Sequence, residues 1–172
     1  MMTEKFSHPP RLSGFDYTQP GAYFITINTF DKNILFGNIV DNNVALNEFG
    51  LIASLCWGEI PTHFSRTYLD EFIIMPNHLH GIIWIVASGE TACCVSTEIQ
   101  QENIEGFGKP VKSSIPTIIR SYKSAVTRLI HQKKQDLRIW QSNYYEHVIR
   151  NNDDLYKTRE YIHFNAFNRF EI

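Results

Sequence analysis

Two short apolar segments, residues 69–75 and 81–86, lie on either side of a Pro-Asn bend and the tripeptide His78-Leu79-His80. Their β-branched and aromatic residues, with a bend between them, predict two neighbouring strands. Side chains alternate between the two faces of a strand, so His78 and His80 are expected on one face and Leu79 on the other. Two imidazoles on one face can bind one divalent cation and leave coordination positions open for a substrate.

Histidine pairs also occur at ordinary half-buried positions of sheets, and the spacing alone does not establish a metal site. A metal site that serves catalysis needs a third ligand and a reacting group, and both must come from another part of the chain. Two further histidines, His147 and His163, are expected to be surface or rim residues with ordinary hydrogen-bond partners, although His163 is close enough in sequence to Tyr161 to support the residues of a site there.

Length and composition set broad limits on the protein. The 172 residues are 43% hydrophobic and 20% charged, which predicts one soluble domain with a single core. No apolar run is long enough to span a bilayer, and the first residues lack an apolar signal segment, so a cytoplasmic protein is expected. Cys56, Cys93 and Cys94 lack the spacing of a disulfide framework or a zinc site, and free thiols are expected.

The formal net charge of -2 conceals an uneven distribution of charge along the chain. Residues 1–108 carry four Lys/Arg against twelve Asp/Glu, whereas residues 109–159 carry eleven against four. A basic segment can neutralise a phosphate backbone, although charge runs are more often solvated surface. The candidates for contacts with a nucleic-acid backbone are Arg120, Lys123, Arg150 and Lys157.

The first half of the chain predicts strands and one helix. Residues 21–30 predict a strand, and residues 34–40 and 44–46 predict two shorter strands. Asn47 is a typical N-cap for a helix that runs to about Pro61. The apolar positions of this helix at helical spacing are Leu51, Ile52, Leu55 and Ile60.

The second half predicts a long loop and two helices. Residues 87–114 are polar without sustained periodicity, which indicates a loop or a partly disordered insertion. Ser114 as N-cap and Pro116 in the first turn begin a helix, and a last helix covers about residues 152–167. Strands and helices in this non-alternating order favour an α+β fold, an antiparallel sheet with helices packed on one face. The apolar stripe of the first of these helices consists of Ile118, Ile119, Tyr122, Val126, Leu129 and Ile130.

On the last helix, two tyrosines are each followed four positions later by a side chain that can bind a metal. Tyr161 precedes Asn165 and Tyr156 precedes Glu160, so each pair lies on one helix face. A carboxylate is a better ligand than an amide for a hard cation, and spacing alone does not decide between the pairs. A tyrosine hydroxyl is a weak nucleophile that needs an electrophile activated by a cation or a nearby base.

Three segments in this order carry a resemblance to a known family: MPNHLHGII, IWQSNYYEHVIRNNDDL and YIHFN. They are similar to motifs of the REP-associated tyrosine transposases, relatives of the single-tyrosine insertion-sequence transposases in the HUH nuclease superfamily. The segments GAYFITINTF and SIPTIIRSYKSAVTRLI also fit the layout of that family, so the resemblance covers most of the chain. One departure is Asn165-Ala166, where relatives commonly have Asn-Pro.

The resemblance implies a single ferredoxin-like or RNA-recognition-like HUH nuclease domain over residues 1–172. It implies His78 and His80 as paired metal ligands, Asn165 as the third ligand and Tyr161 as the nucleophile, with Mg²⁺ or Mn²⁺ as the cation. The implied reaction is cleavage and rejoining of single-stranded DNA at palindromic, REP-like hairpins through a covalent 5′-phosphotyrosine. No membrane partner is expected, and a homodimer stays open beside a monomer.

Two other functions stay open from the sequence. A hairpin-binding protein that no longer cleaves DNA would not need the His pair, Tyr161 and Asn165, and the presence of all four residues argues against it. A metal-dependent hydrolase that activates water at the His pair would tolerate the loss of the Tyr161 hydroxyl. The basic second half of the chain disfavours the hydrolase.

Overall fold

The computed structural model describes residues 15–41, 43–87 and 111–165. Most of the polar segment 87–114, including Cys93 and Cys94, lies outside these ranges, as does the predicted end of the last helix. No helix within the described ranges has the length and apolar character needed to cross a membrane. In chain order the elements are β1 (Gly21–Asn28), β2 (Gly37–Val40), β3 (Asn43–Leu46), α1 (Glu48–Gly58), α2 (Ile60–His63), β4 (Thr67–Met75), β5 (His78–Ile85), α3 (Ile115–His131), β6 (Tyr145–Ile149) and α4 (Asn152–Phe164).

The central sheet has four strands in the order β4-β5-β1-β6, and every neighbouring pair is antiparallel. Strands β2 and β3 form a separate antiparallel hairpin. The predicted α+β class with an antiparallel sheet is therefore confirmed. Strand β6 was not predicted, because it has only five residues without a clear apolar alternation and acquires its strand conformation by pairing with the distant β1.

Alternation along β1 separates the two faces of the sheet. Tyr23, Ile25 and Ile27 are buried in the main core, which α1 and α3 cover from one side. The stripe predicted for α3 is confirmed, and Ser114 caps the helix by accepting from the backbone N–H of Thr117. The hydroxyl of Tyr122 ties α3 to α1 by donating to the carbonyl oxygen of Ala53 at 3.2 Å.

The predicted apolar face of α1 is wrong in part. Leu51 and Leu55 are 55% and 69% exposed, whereas Ala53 and Trp57 are fully buried. The reason is a close approach between α1 and the sheet, where the Trp57 indole packs over Gly81 of β5. This contact between the large Trp57 ring and a glycine fixes the rotation of α1. The spacing of the leucines in the sequence carries no information about that contact.

The last helix lies against the opposite face of the sheet from α1 and α3. Ile162 of α4 packs with Ala22, Ile82 and Ile149 in a second, smaller cluster. Arg159 on the same helix forms a bidentate ion pair with Asp70 of β4, at 2.6 and 2.9 Å. Helices thus cover both faces rather than the one face that was predicted, because α4 buries Ile162 on the face that carries His78 and His80.

We expect Gly81→Ala to destabilise the protein, because a Cβ at this position would stand 2.5 Å from a ring carbon of the buried Trp57. Overpacking of this kind costs about 1–3 kcal/mol of unfolding free energy. The urea midpoint of unfolding measures the effect. Gly58→Ala is the control, because a Cβ there meets nothing within 4 Å, and an equal loss of stability in both variants would contradict the close-packing argument.

Candidate active site

The two histidines at the start of β5 lie side by side on the α4 face of the sheet. His78 and His80 are only 9% and 4% exposed, and their ring centroids are 4.6 Å apart, while Leu79 is fully buried on the opposite face. Met75 pairs with His78, so the Pro76-Asn77 bend is a two-residue turn between paired strands. The arrangement of the pair expected from strand alternation is therefore present in the structure.

Each imidazole is oriented through its Nδ1 atom. His78 Nδ1 lies 2.7 Å from Oδ1 of Asn77, and His80 Nδ1 lies 2.8 Å from Oγ1 of Thr26 on β1. An amide oxygen can only accept, so His78 donates from Nδ1 and carries its lone pair on Nε2. Metal-binding histidines are typically held in this way, with one nitrogen bound to a protein oxygen and the other directed at the ion.

Tyr161 approaches the pair from α4. Its hydroxyl lies 3.4 Å from Nε2 of His80. The Phe24 ring stacks on the His80 imidazole at 5.4 Å, and its edge contact with the Tyr161 ring has a centroid distance of 5.9 Å. Phe24 therefore holds both rings in place, since it contacts each of them from β1.

The second tyrosine of α4 is placed differently. Tyr156 is 63% exposed, and a hydrogen bond to Glu160 raises the pKa of its hydroxyl. Asn165 follows the end of α4, one turn beyond Tyr161, and its backbone N–H donates to the Ile162 carbonyl. The structure thus brings Tyr161 to the histidines and turns the Tyr156–Glu160 pair towards solvent.

The His pair supplies two nitrogen donors, and a catalytic cation needs further ligands beside them. The residues with described positions include no group of three or more His, Cys, Asp or Glu side chains that could hold a metal ion. The ligand set implied by the sequence resemblance is the Nε2 atoms of His78 and His80 with the amide oxygen of Asn165, a mixed nitrogen and oxygen set whose chemistry suits a divalent cation and would leave positions for substrate oxygens. The ligand roles of the three residues stay a prediction.

A pocket of about 370 Å³ opens between the sheet and α4 beside Tyr161. Its wall is mostly apolar and aromatic, with a few hydroxyl, amide and basic groups, as is common for sites that bind organic ligands. The lining residues are Phe24, Thr26, Asn28, His80, Tyr145, His147, Lys157, Thr158 and Tyr161.

His147 belongs to this pocket, although the sequence suggested only a rim position for it. Its Nε2 atom lies 2.9 and 3.1 Å from the two carboxylate oxygens of Asp154, in the first turn of α4. The Asp154 carboxylate also accepts from the backbone N–H of Arg150. Burial raises the pKa of Asp154, but the bonds from His147 and Arg150 outweigh it and hold the pKa below its usual value.

The four candidates for DNA contacts are divided between the two sides of the sheet. Lys157 lines the pocket, and Arg150 is exposed directly after β6. Arg120 and Lys123 lie on α3, which covers the other face. The Lys123 ammonium donates to the carbonyl oxygens of Gln141 and Asn143 at 2.8 and 3.1 Å, and burial lowers its pKa to about 8. Lys123 therefore anchors the loop that contains Gln141 and Asn143, and the structure does not bring Lys123 to the pocket.

Phe24 and Thr26 were not predicted as residues of the pocket, and His147 was expected only at the rim. For Phe24 and Thr26 a signal was present, since they alternate with the buried residues of β1 and must face the other side. For His147 there was none, because its pairing opposite Phe24 depends on β6, which was not predicted.

Comparisons with known proteins agree with this fold. No family model matches the chain. A protein of Haemophilus influenzae (strain ATCC 51907 / DSM 11121 / KW20 / Rd), described only as uncharacterized, is 37% identical over 152 residues, 88% of this chain and 83% of that protein. Among solved structures, a REP-associated tyrosine transposase bound to a REP hairpin matches with a TM-score of 0.60 at 17% identity, over 97% of this chain and 76% of that one. The chain therefore belongs to one family with the Haemophilus protein, and it has the fold of the REP-associated tyrosine transposase.

Proposed function

We propose that this protein is a transposase that cleaves and rejoins single-stranded DNA at hairpin-bearing sequences, with Tyr161 as the nucleophile. The observation that carries the proposal is the 3.4 Å approach of the Tyr161 hydroxyl to Nε2 of His80, beside a pocket large enough for a nucleotide. The solved structure with this fold is bound to a REP hairpin, which supports the same class of substrate here.

The proposed reaction is a transesterification at phosphorus. The Tyr161 hydroxyl oxygen forms a bond to the scissile phosphorus, the bond from phosphorus to the 3′-oxygen breaks, and the products are a 5′-phosphotyrosine and a free 3′-OH. The covalent ester preserves the free energy of the broken bond, so the 3′-OH of another strand can reverse the attack without ATP.

The residues around Tyr161 position the reacting groups. Phe24 holds the phenol ring against His80, and Thr26 fixes the His80 imidazole from its other nitrogen. Lys157 supplies a positive charge at the pocket wall for a backbone phosphate. His78, His80 and Asn165 would hold Mg²⁺ or Mn²⁺, which offsets negative charge on the phosphate oxygens and orients the phosphate.

A covalent-adduct assay tests this function. The protein is incubated with hairpin-bearing single strands in Mn²⁺, with the label at the 5′ end in one sample and at the 3′ end in another. We expect a denaturant-resistant protein-DNA adduct that carries only the 3′-end label. Binding without cleavage would indicate a hairpin-binding protein, and cleavage without an adduct would indicate a hydrolase.

DNA affinity should decrease steeply with salt, and Lys157→Gln should reduce this dependence. For a single strand, the log-log slope of affinity against salt falls by about 0.7 for each phosphate contact that is lost. Arg120→Gln serves as the matched control, because Arg120 is an exposed basic residue on α3, which covers the opposite face. A fluorescence-anisotropy salt titration gives the slopes, and an equal change in both variants would contradict a binding surface centred on the pocket.

A further inference from the structure

We infer that His147, held by Asp154, is the general acid of strand cleavage and the general base of strand joining. It acts on the 3′-oxygen, the group that leaves phosphorus when Tyr161 attacks and that attacks phosphorus when strands are joined. The inference rests on the proposed function and adds a second catalytic residue to it.

The position of His147 carries the first step of the argument. His147 and Tyr161 line the same pocket, but they enter it from different elements, β6 and α4. His80, next to the Tyr161 hydroxyl, is on β5, and β1 lies between β5 and β6. β5 and β6 are two strand spacings apart, which is a distance of roughly 10 Å across the floor of the pocket.

This separation suits the geometry of phosphoryl transfer. The attacking and leaving oxygens stand roughly in line on opposite sides of phosphorus. The Tyr161 hydroxyl lies at the β5 side of the pocket, beside His80. A phosphate within the pocket would have its leaving oxygen towards β6, where His147 contributes to the wall.

Asp154 prepares the imidazole for proton transfer. It holds Nε2 of His147 at 2.9 Å and is itself fixed by the backbone N–H of Arg150, while its own backbone N–H donates to the Asn151 side chain. A carboxylate bound to one imidazole nitrogen keeps a proton there and stabilises the imidazolium ion. The proton that is exchanged with DNA is therefore the one on Nδ1.

The proton balance follows from these assignments. During cleavage, the Tyr161 oxygen bonds to phosphorus, the bond to the 3′-oxygen breaks, and the His147 imidazolium gives its Nδ1 proton to that oxygen. The phenolic proton of Tyr161 passes to solvent. During joining, neutral His147 takes the proton from the attacking 3′-OH, the 3′-oxygen bonds to phosphorus, the bond from phosphorus to the Tyr161 oxygen breaks, and the Tyr161 phenolate takes a proton from solvent.

If the His147–Asp154 pair only joined β6 to α4, its loss would have a different effect from the loss of a proton donor. The side chains of His147 and Asp154 are 41% and 30% exposed, and ion pairs with this much solvent contact contribute little to stability. A tie between β6 and α4 would affect every substrate equally. A proton donor matters only when the leaving oxygen needs a proton.

A strand with sulfur in place of the scissile 3′-oxygen separates these possibilities, because a thiolate leaves without protonation. With the ordinary strand, His147→Ala should slow adduct formation by about 10²- to 10⁴-fold, the usual contribution of a general acid. With the 3′-bridging phosphorothiolate strand, the same variant should remain within about tenfold of the wild type, because no proton is required.

Asp154→Asn tests the positioning role, with Asp153→Asn as its matched control in the same helical turn. Asp154→Asn should slow cleavage of the ordinary strand, and its rate with the sulfur strand should return close to that of the wild type. Asp153→Asn should behave as the wild type with both strands. Equal slowing of His147→Ala with both strands, at an unchanged melting temperature, would overturn the inference. Failure of the wild type to form an adduct with either strand would instead overturn the proposed function, and this inference with it.

Discussion

Tyr161→Phe is expected to abolish both strand cleavage and the covalent adduct while DNA binding stays close to that of the wild type. The substitution removes one oxygen and keeps the ring that packs against Phe24 and His80. Without the hydroxyl no nucleophile reaches phosphorus, so the loss should extend to the detection limit of the assay. Denaturing gels with 3′-end-labelled strands measure the adduct, and anisotropy measures the binding.

Tyr156→Phe is the matched control for this prediction, because it removes the hydroxyl of a tyrosine on the same helix. Tyr156 is largely exposed and hydrogen-bonded to Glu160, so its loss should leave adduct formation unchanged. An adduct that persists in Tyr161→Phe and disappears in Tyr156→Phe would refute the assignment of the nucleophile. Full hydrolysis by Tyr161→Phe would indicate activated water.

Local periodicity was enough to predict the parts of the site that lie on one element. The alternation His78-Leu79-His80 placed both imidazoles on one face, and the structure has them there with Leu79 in the core. The four-residue spacing on α4 gave two tyrosine pairs, but it could not identify the pair that faces the sheet. That choice depends on packing of Ile162 against β1, β5 and β6, a contact between residues far apart in sequence.

Features set by pairing between distant segments were not predictable in the same way. Strand β6 and the pocket position of His147 exist because residues 145–149 pair with β1. The rotation of α1 depends on Trp57 meeting Gly81 across the core. Lys123 carries the charge of a DNA-binding residue, yet its ammonium is bound to two carbonyl oxygens of a neighbouring loop. In each case the tertiary contact determined the role of the residue.

Removal of either histidine of the pair should also eliminate cleavage. If His78 and His80 hold the cation, His78→Ala or His80→Ala withdraws several kcal/mol of stabilisation from the transition state, and about 4 kcal/mol corresponds to a rate loss near a thousandfold. His80 is buried and bonded to Thr26, so His80→Ala should also lower the melting temperature. Circular dichroism must therefore confirm that each variant is folded at the assay temperature.

Metal binding can be measured separately from catalysis in these variants. A ligand that binds only the folded protein raises its melting temperature, so Mn²⁺ should stabilise the wild type and Tyr161→Phe but neither histidine variant. His163→Ala is the control, because His163 is an exposed histidine at the end of α4. Among the ring contacts of the described residues, His163 packs only on Phe164. Tyr161→Phe keeps the metal ligands and loses the nucleophile, so it should bind Mn²⁺ without cleaving DNA. His78→Ala keeps the nucleophile and loses a ligand, so it should fail at Mn²⁺ binding. Mn²⁺-dependent cleavage in either histidine variant would show that the cation is held elsewhere.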